Sequence, residues 1–236
     1  MREAGIPLTY YGIRMDSGDL AYLSKKVRKM LDAAGFPDAV ISASNDLDEY
    51  LIESLKQQGA TITSWGVGTN LITSKDNPAF GGVYKLAAIQ DKDGNFQPKI
   101  KLSENIEKVT NPGNKTFYRV YEKSTGKIKA DLICLADEVF DEADDLKLFD
   151  PSAPWKKTKL PGGSYTLREM LIPVVKAGKT IYHSPSVMEI REICNKEKET
   201  LWDETKRFVN PHEIYVDLSQ KLYDMKTDLL NRMNKE

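Results

Sequence analysis

The sequence predicts an α/β fold: a partial (β/α) barrel of three parallel βα units, then a β-hairpin-rich segment, then C-terminal helices. Three observations predict it. In the opening quarter, short β-rich runs alternate with stretches whose apolar residues recur at helical spacing. Each of those runs ends in a polar or glycine-rich turn, RMDSGD, SNDLDE and GVGTN. Parallel βα units share one crossover hand, so all three turns are expected on one edge of the sheet. From residue 77 the texture changes to β-rich runs between turn residues, and from residue 164 to helical patterns. The expected organisation is a half barrel over 1–90, a β-rich segment over 91–163 and a helical segment over 164–236.

The first strand is expected over 8–14 and the first helix over 20–34, with Leu20, Leu23, Val27, Met30 and Leu31 as its apolar face. Gly35 and Pro37 stop that helix, glycine at the left-handed exit and proline beyond it. The second strand is expected over 39–44. It ends in Asn45 and Asp46, and the next helix carries Leu47, Tyr50, Leu51, Ser54 and Leu55 on one face, closing at Gly59. The third strand, over 61–65, runs into Gly66, Val67, Gly68, Thr69 and Asn70.

These turns hold the candidate chemistry. Arg14 and Asp16 are two residues apart, so on a strand they point to one side and present a cation and a carboxylate together. Ser17 adds a hydroxyl, Gly18 a permissive backbone and Asp19 an anion at the helix start, where it also reads as a cap. Gly66 and Gly68 flank Val67, which suits a tight bend with consecutive N–H groups exposed, and Thr69 adds a hydroxyl. That is either a phosphate cradle or a plain βα turn that needs glycine.

Downstream, 83–89 reads as a strand, 91–95 as a turn, and 96–102 as extended chain with Pro98 marking an edge. A turn at 108–114 precedes a hairpin of 116–121 and 127–135 around Ser124, Thr125 and Gly126. The acidic run 137–145 reads as a solvated surface rather than a metal site. Short strands or loop are expected over 147–150 and 155–160. A short helix over 165–171, capped by Ser164 or Thr166, is expected to end at 176–178. A long helix over 186–208 would bury Val187, Ile190, Ile193, Cys194, Leu201 and Trp202. After a break at Asn210, Pro211 and His212, a last helix is expected over 217–233. His183 and His212 have no spaced metal partners and read as structural.

The 236 residues carry a formal net charge of −1, with 40% hydrophobic and 29% charged residues. No global field marks a nucleic-acid or membrane partner. No apolar run approaches the roughly 18 residues of a membrane span, and the first residues do not open a signal peptide. Cys134 and Cys194 form no CxxC or Cys/His cluster and read as buried thiols of a reducing compartment. A cytoplasmic protein is expected. Three βα units do not close a barrel of eight strands, and residues 1–5 read as the tail of a helix. The chain is therefore expected to be a piece of something larger, or a half barrel that needs a partner.

The stretches GIRMDSGDLAYLSKKVRKMLDAAGF, ISASNDLDEYLIESLKQQGA, WGVGTNLITSKDNPAFGGVYKL, KVTNPGNKTFYRVYE and LWDETKRFVNPHEIYVDLSQKLY resemble the nicotinate phosphoribosyltransferase family. The resemblance implies an irregular α/β barrel joined to a β-rich domain, working as a dimer with active sites near the subunit boundary. It implies synthesis of nicotinate mononucleotide and pyrophosphate from nicotinate and phosphoribosyl pyrophosphate, with ATP hydrolysis and Mg²⁺, in NAD biosynthesis. By the same resemblance, Arg14 meets the nicotinate carboxylate and Asp16 is the catalytic acid near ribose and base. Ser17, Gly18, Asn45 and Asp46 line the ribose-phosphate side, and Gly66, Val67, Gly68 and Thr69 form the 5-phosphate loop. Asp16, Asp19 and Asp46 are candidate Mg²⁺ ligands. The family's phosphorylated histidine and its base-stacking aromatic lie in an N-terminal half with no counterpart here. That half is thus an expected partner, and the chain alone is expected to bind phosphate weakly or not at all and to make no nicotinate mononucleotide. Three alternatives stay open: a sister enzyme using nicotinamide or quinolinate, a non-catalytic fragment or partner subunit, and a generic sugar-phosphate-binding barrel piece.

Overall fold

The computed structural model describes residues 5, 7, 9–104, 108–150, 153 and 155–233, and the chain divides into two units between Gly82 and Val83. The helix tail expected over 1–5 and the start of the first strand at residue 8 fall largely outside the described residues. Among the described residues, no helix is long and apolar enough to cross a membrane.

Unit 1 contains the three βα units. They are β1 (Gly12–Met15), α1 (Leu20–Ala33), β2 (Val40–Ala43), α2 (Glu49–Gln57), β3 (Ser64–Trp65) and α3 (Thr69–Ile72). The strands lie in the order β1-β2-β3 and are all parallel, with Arg14 opposite Ser42 and Ser42 opposite Ser64. Ala21, Ile41, Ala43, Leu47, Leu55 and Ile62 form the core, with Leu20, Val27, Leu31 and Ile52 packed against it. Burying a side chain such as Ile41 contributes about 1.5–3 kcal/mol. The α1 face differs from expectation in two places. Met30 is exposed, while Ser24 is buried, donating to the Ala21 carbonyl and accepting from the Thr61 amide. On α2, Tyr50 and Leu51 face outward and the core contact falls to Ile52 and Leu55. The α1–β2 connection is fixed by Arg28, which donates to Asp32 and to the carbonyls of Phe36 and Ala39.

Unit 2 is built on a six-stranded sheet. It has the small hairpin β4 (Ala88–Gln90) and β5 (Phe96–Pro98), then β6 (Lys115–Glu122), β7 (Ile128–Leu135), β8 (Leu146–Phe149), β9 (Lys157–Leu160) and β10 (Tyr165–Glu169). There follow β11 (Val175–Lys176), β12 (Lys179–Thr180), α4 (Val187–Glu199), a 3₁₀ turn (Asp203–Lys206), β13 (Val216–Leu218) and α5 (Gln220–Met233). The sheet order is β10-β6-β7-β13-β8-β9, antiparallel except for β7 beside β13. Val120, Leu132, Leu146, Leu148 and Tyr165 lead one core cluster; Leu135, Leu218 and Leu222 form another under α5.

Several expectations are corrected here. Residues 165–169 are not a helix but an edge strand: Tyr165, Thr166 and Leu167 suit a pleated surface, and β6 supplies a partner with Arg168 opposite Arg119. Ala177 and Gly178, both at positive φ, turn the β11–β12 hairpin instead of ending a helix. The long helix stops at Glu199; Leu201 and Trp202 leave it, and the Trp202 indole N–H donates to the Ile128 carbonyl at 2.7 Å. Its expected core stripe is exposed, with Val187 at 80%, Ile190 at 51% and Ile193 at 51%. What holds α4 is its C-terminal end: Glu197 accepts two bonds from Arg168 and lies 3.9 Å from Arg119, which itself grips Asp131. The last helix begins only at Gln220, because Ser219 caps it by accepting from the Leu222 amide and Val216–Leu218 pairs into the sheet. The extended run expected over 83–89 shortens to Ala88–Gln90.

The acidic run is more than solvated surface. Glu138 accepts from the Leu135 amide and the Ser219 hydroxyl, Glu142 from the Leu167 amide, and Asp145 from the Gly162 amide.

The thiols differ. Cys134 is buried, and burial pushes its pKa up to about 12, whereas Cys194 is exposed on α4, not buried as expected. Thiolate is the reactive form. An Ellman titration of the native chain is therefore expected to release one equivalent rapidly, lost in Cys194→Ser, with Cys134 reacting only on unfolding. Two rapid equivalents in the native chain would overturn this.

Candidate functional site

The three turns lie at the carboxyl edge of the unit 1 sheet. Parallel register brings them there: the Ser44 amide donates to the Met15 carbonyl at 3.0 Å, and the Gly66 amide to the Ala43 carbonyl at 2.7 Å. Arg14 points across the strand ends, its Nε donating to Ser44 Oγ at 2.9 Å. Its Nη2 lies 3.6 Å from Asp16 Oδ2, and both side chains are well exposed. A solvated contact of that length is worth under about 1 kcal/mol, so ligand groups displace it easily.

The other residues divide by role. Asp19 Oδ1 accepts from the Tyr22 amide and caps α1; Asp48, which the sequence reading did not single out, does the same for α2 through the Leu51 amide. Gly18 sits at φ +78°, a left-handed position that favours glycine. Asn45 (φ 89°) and Asp46 (φ 46°) also turn left-handed, which sends the chain from β2 back toward α2. Asn70 ties the third turn to the second, its side-chain amide donating to the carbonyls of Asp46 and Leu47. Asn70 was missed as a site-builder; the available signal was a polar side chain at the last position of the GVGTN turn.

In the third turn the glycines act differently from one another. Gly66 already gives its amide to the ladder, and a Cβ there would stand 3.3 Å from the Ser44 Cβ. Gly68 has nothing within 4 Å of a Cβ, so no neighbouring atom requires it, while its φ of −115° and ψ of −101° fall outside the helical and extended regions. Beyond Gly66, the amides of Val67, Gly68, Thr69 and Asn70 meet no backbone or side-chain acceptor among the described residues. Four consecutive donors at a helix entry form an anion-seeking surface. Among the described residues, no group of three or more His, Cys, Asp or Glu could hold a metal ion.

An edge of parallel βα units bearing an arginine, a carboxylate and a run of open amides has the chemistry to receive small anionic groups such as phosphate. Residues 114–226, in unit 2, match the family described as nicotinate phosphoribosyltransferase C-terminal domain. The chain is 42% identical over 232 residues to nicotinate phosphoribosyltransferase of Bacillus subtilis, covering 98% of this chain and 47% of that protein. It is 37% identical to the Caenorhabditis elegans enzyme, covering 90% of this chain and 38% of the relative. The crystal structure of human nicotinic acid phosphoribosyltransferase superposes with a TM-score of 0.69 at 25% identity, over 93% of this chain and 40% of that one. Over nearly its whole length the chain is similar to nicotinate phosphoribosyltransferases, and it spans about half or less of the length of these relatives.

Proposed function

We propose that the chain is the C-terminal part of a nicotinate phosphoribosyltransferase, with unit 1 forming part of a (β/α) barrel. The enzyme would join nicotinate to phosphoribosyl pyrophosphate, with ATP hydrolysis, and release pyrophosphate. The observation that carries this reading is the set of open amides from Val67 to Asn70 on the same edge as Arg14 and Asp16. Those amides would hold the 5-phosphate. The Arg14 guanidinium, steadied by Ser44, would orient nicotinate by a forked contact to its carboxylate. The pyridine nitrogen then bonds to the anomeric carbon as the bond to pyrophosphate breaks. Asp16 faces the positive charge that develops there, and a fixed carboxylate stabilises it.

Mg²⁺ fits this edge in a limited way. Asp19 is engaged as a cap, which leaves Asp16 and Asp46 as the carboxylates that would meet it. One or two carboxylates plus substrate phosphates suffice for Mg²⁺, and when bound it neutralises the leaving group. The N-terminal half of the enzyme and a second copy of it are the partners this reading implies, in the cytoplasm.

Ribose 5-phosphate titrated into the enzyme completed by supplying the N-terminal half tests the phosphate loop. Saturable ¹H–¹⁵N shifts are expected at the amides of Val67, Gly68, Thr69 and Asn70. Absence of any shift there at millimolar ligand would overturn the assignment.

A further inference from the structure

Asp217 in β13 is 5% exposed, and among the described residues no hydrogen bond reaches its carboxyl. Burial and the neighbouring Asp150 raise its pKa above the ordinary carboxyl range. Buried carboxyls are ordinarily paired or hydrogen-bonded, whereas this one opens on a cavity. It lines a cavity of about 360 Å³ together with Thr158, Trp202, Thr205, His212 and Tyr215. Thr205 Oγ1, also lining it, is buried without a hydrogen-bond partner. Lys129 borders the same space, but its ammonium lies 3.7 Å from the Glu122 carboxylate.

The cavity thus presents a buried carboxyl beside hydroxyls of Thr158, Thr205 and Tyr215 that can either donate or accept. Its walls are aromatic: the Trp202 ring is fixed by its bond to Ile128, and His212 and Tyr215 meet edge to face at 6.2 Å. Aromatic faces attract cations, and Glu204 and Glu213 add negative charge to the lining. A metal ion is disfavoured, since no three ligating side chains gather among the described residues. An anion would meet only repulsion from Asp217. We infer that this cavity binds a small primary alkylammonium group, its N–H donors taken by the Asp217 carboxylate and the Thr205 hydroxyl. The site is independent of the unit 1 edge.

The test uses the full chain and n-butylammonium chloride, titrated at constant ionic strength against sodium chloride. A saturable shift of the Asp217 ¹³Cγ resonance is expected, with a rise of a few degrees in the unfolding midpoint, since a ligand for the native state stabilises it. Tetramethylammonium has the charge but no N–H, and is expected to bind at least tenfold more weakly. Asp217→Asn, close to isosteric, is expected to keep its circular dichroism and lose the butylammonium response. Thr205→Val, which leaves the carboxyl in place, is expected to weaken binding severalfold. No saturable shift in the parent chain, an undiminished thermal response in Asp217→Asn, or equal binding of tetramethylammonium would each overturn the inference.

Discussion

Gly12→Ala is expected to destabilise unit 1 by about 2–3 kcal/mol, near the upper end of overpacking penalties. A Cβ at Gly12 would run into the backbone carbonyl of Val40 on the neighbouring strand. Backbone of a paired strand is not free to swing aside as a side-chain tip is. β1 must therefore lift from β2, and the Val40 amide bond to the Tyr11 carbonyl is the first to suffer. Hydrogen exchange at the Val40 and Ser44 amides reads this directly, and urea unfolding gives the total. Gly81→Ala, an exposed loop position with open space around it, is the control and is expected to cost under about 0.5 kcal/mol. Equal stability of the two variants would mean the strand ends are not held as described.

Arg14→Ala, placed in an enzyme completed by supplying the N-terminal half, is expected to lower kcat/KM for nicotinate by about 10²–10⁴. Two charge-assisted hydrogen bonds are lost, each worth about 1.5–3 kcal/mol. Arg14→Lys keeps the charge without the fork and is expected to fall between the two. Nicotinamide has no carboxylate, so any residual turnover of it should change little. A similar loss on both substrates would assign Arg14 to the architecture of the edge instead of to recognition of the acid. The Ser44 contact makes this a sharp test, since Arg14 Nε is already held and the outer nitrogens face solvent.

The βα units of unit 1 were legible because their signals are local. Helical spacing, a glycine at each exit and polar residues at each strand end all fall within a dozen residues. The β6–β7 hairpin was legible for the same reason, with Ser124, Thr125 and Gly126 between two β-rich runs. β10 and β13 were not. Tyr165–Glu169 and Val216–Leu218 become strands because partners far along the chain, β6 and β7, stand ready for them. A local pattern carries no record of a partner 40 or more residues away. Burial on α4 failed similarly: its stripe has helical period, but packing is decided by Glu197 and its two arginines at one end. At the candidate site, residue types and their convergence were visible in the sequence. Which amides stay open was not, because that depends on the ladder bond made by Gly66.

The place of β13 has a consequence for biogenesis. β7 and β8 are separated in the sheet by a strand that comes much later in the chain, so neither has that neighbour when it leaves the ribosome. During synthesis both would show a bare edge to other nascent chains, a known opening for misassembly. Closure waits for Val216–Leu218 to slot in between them.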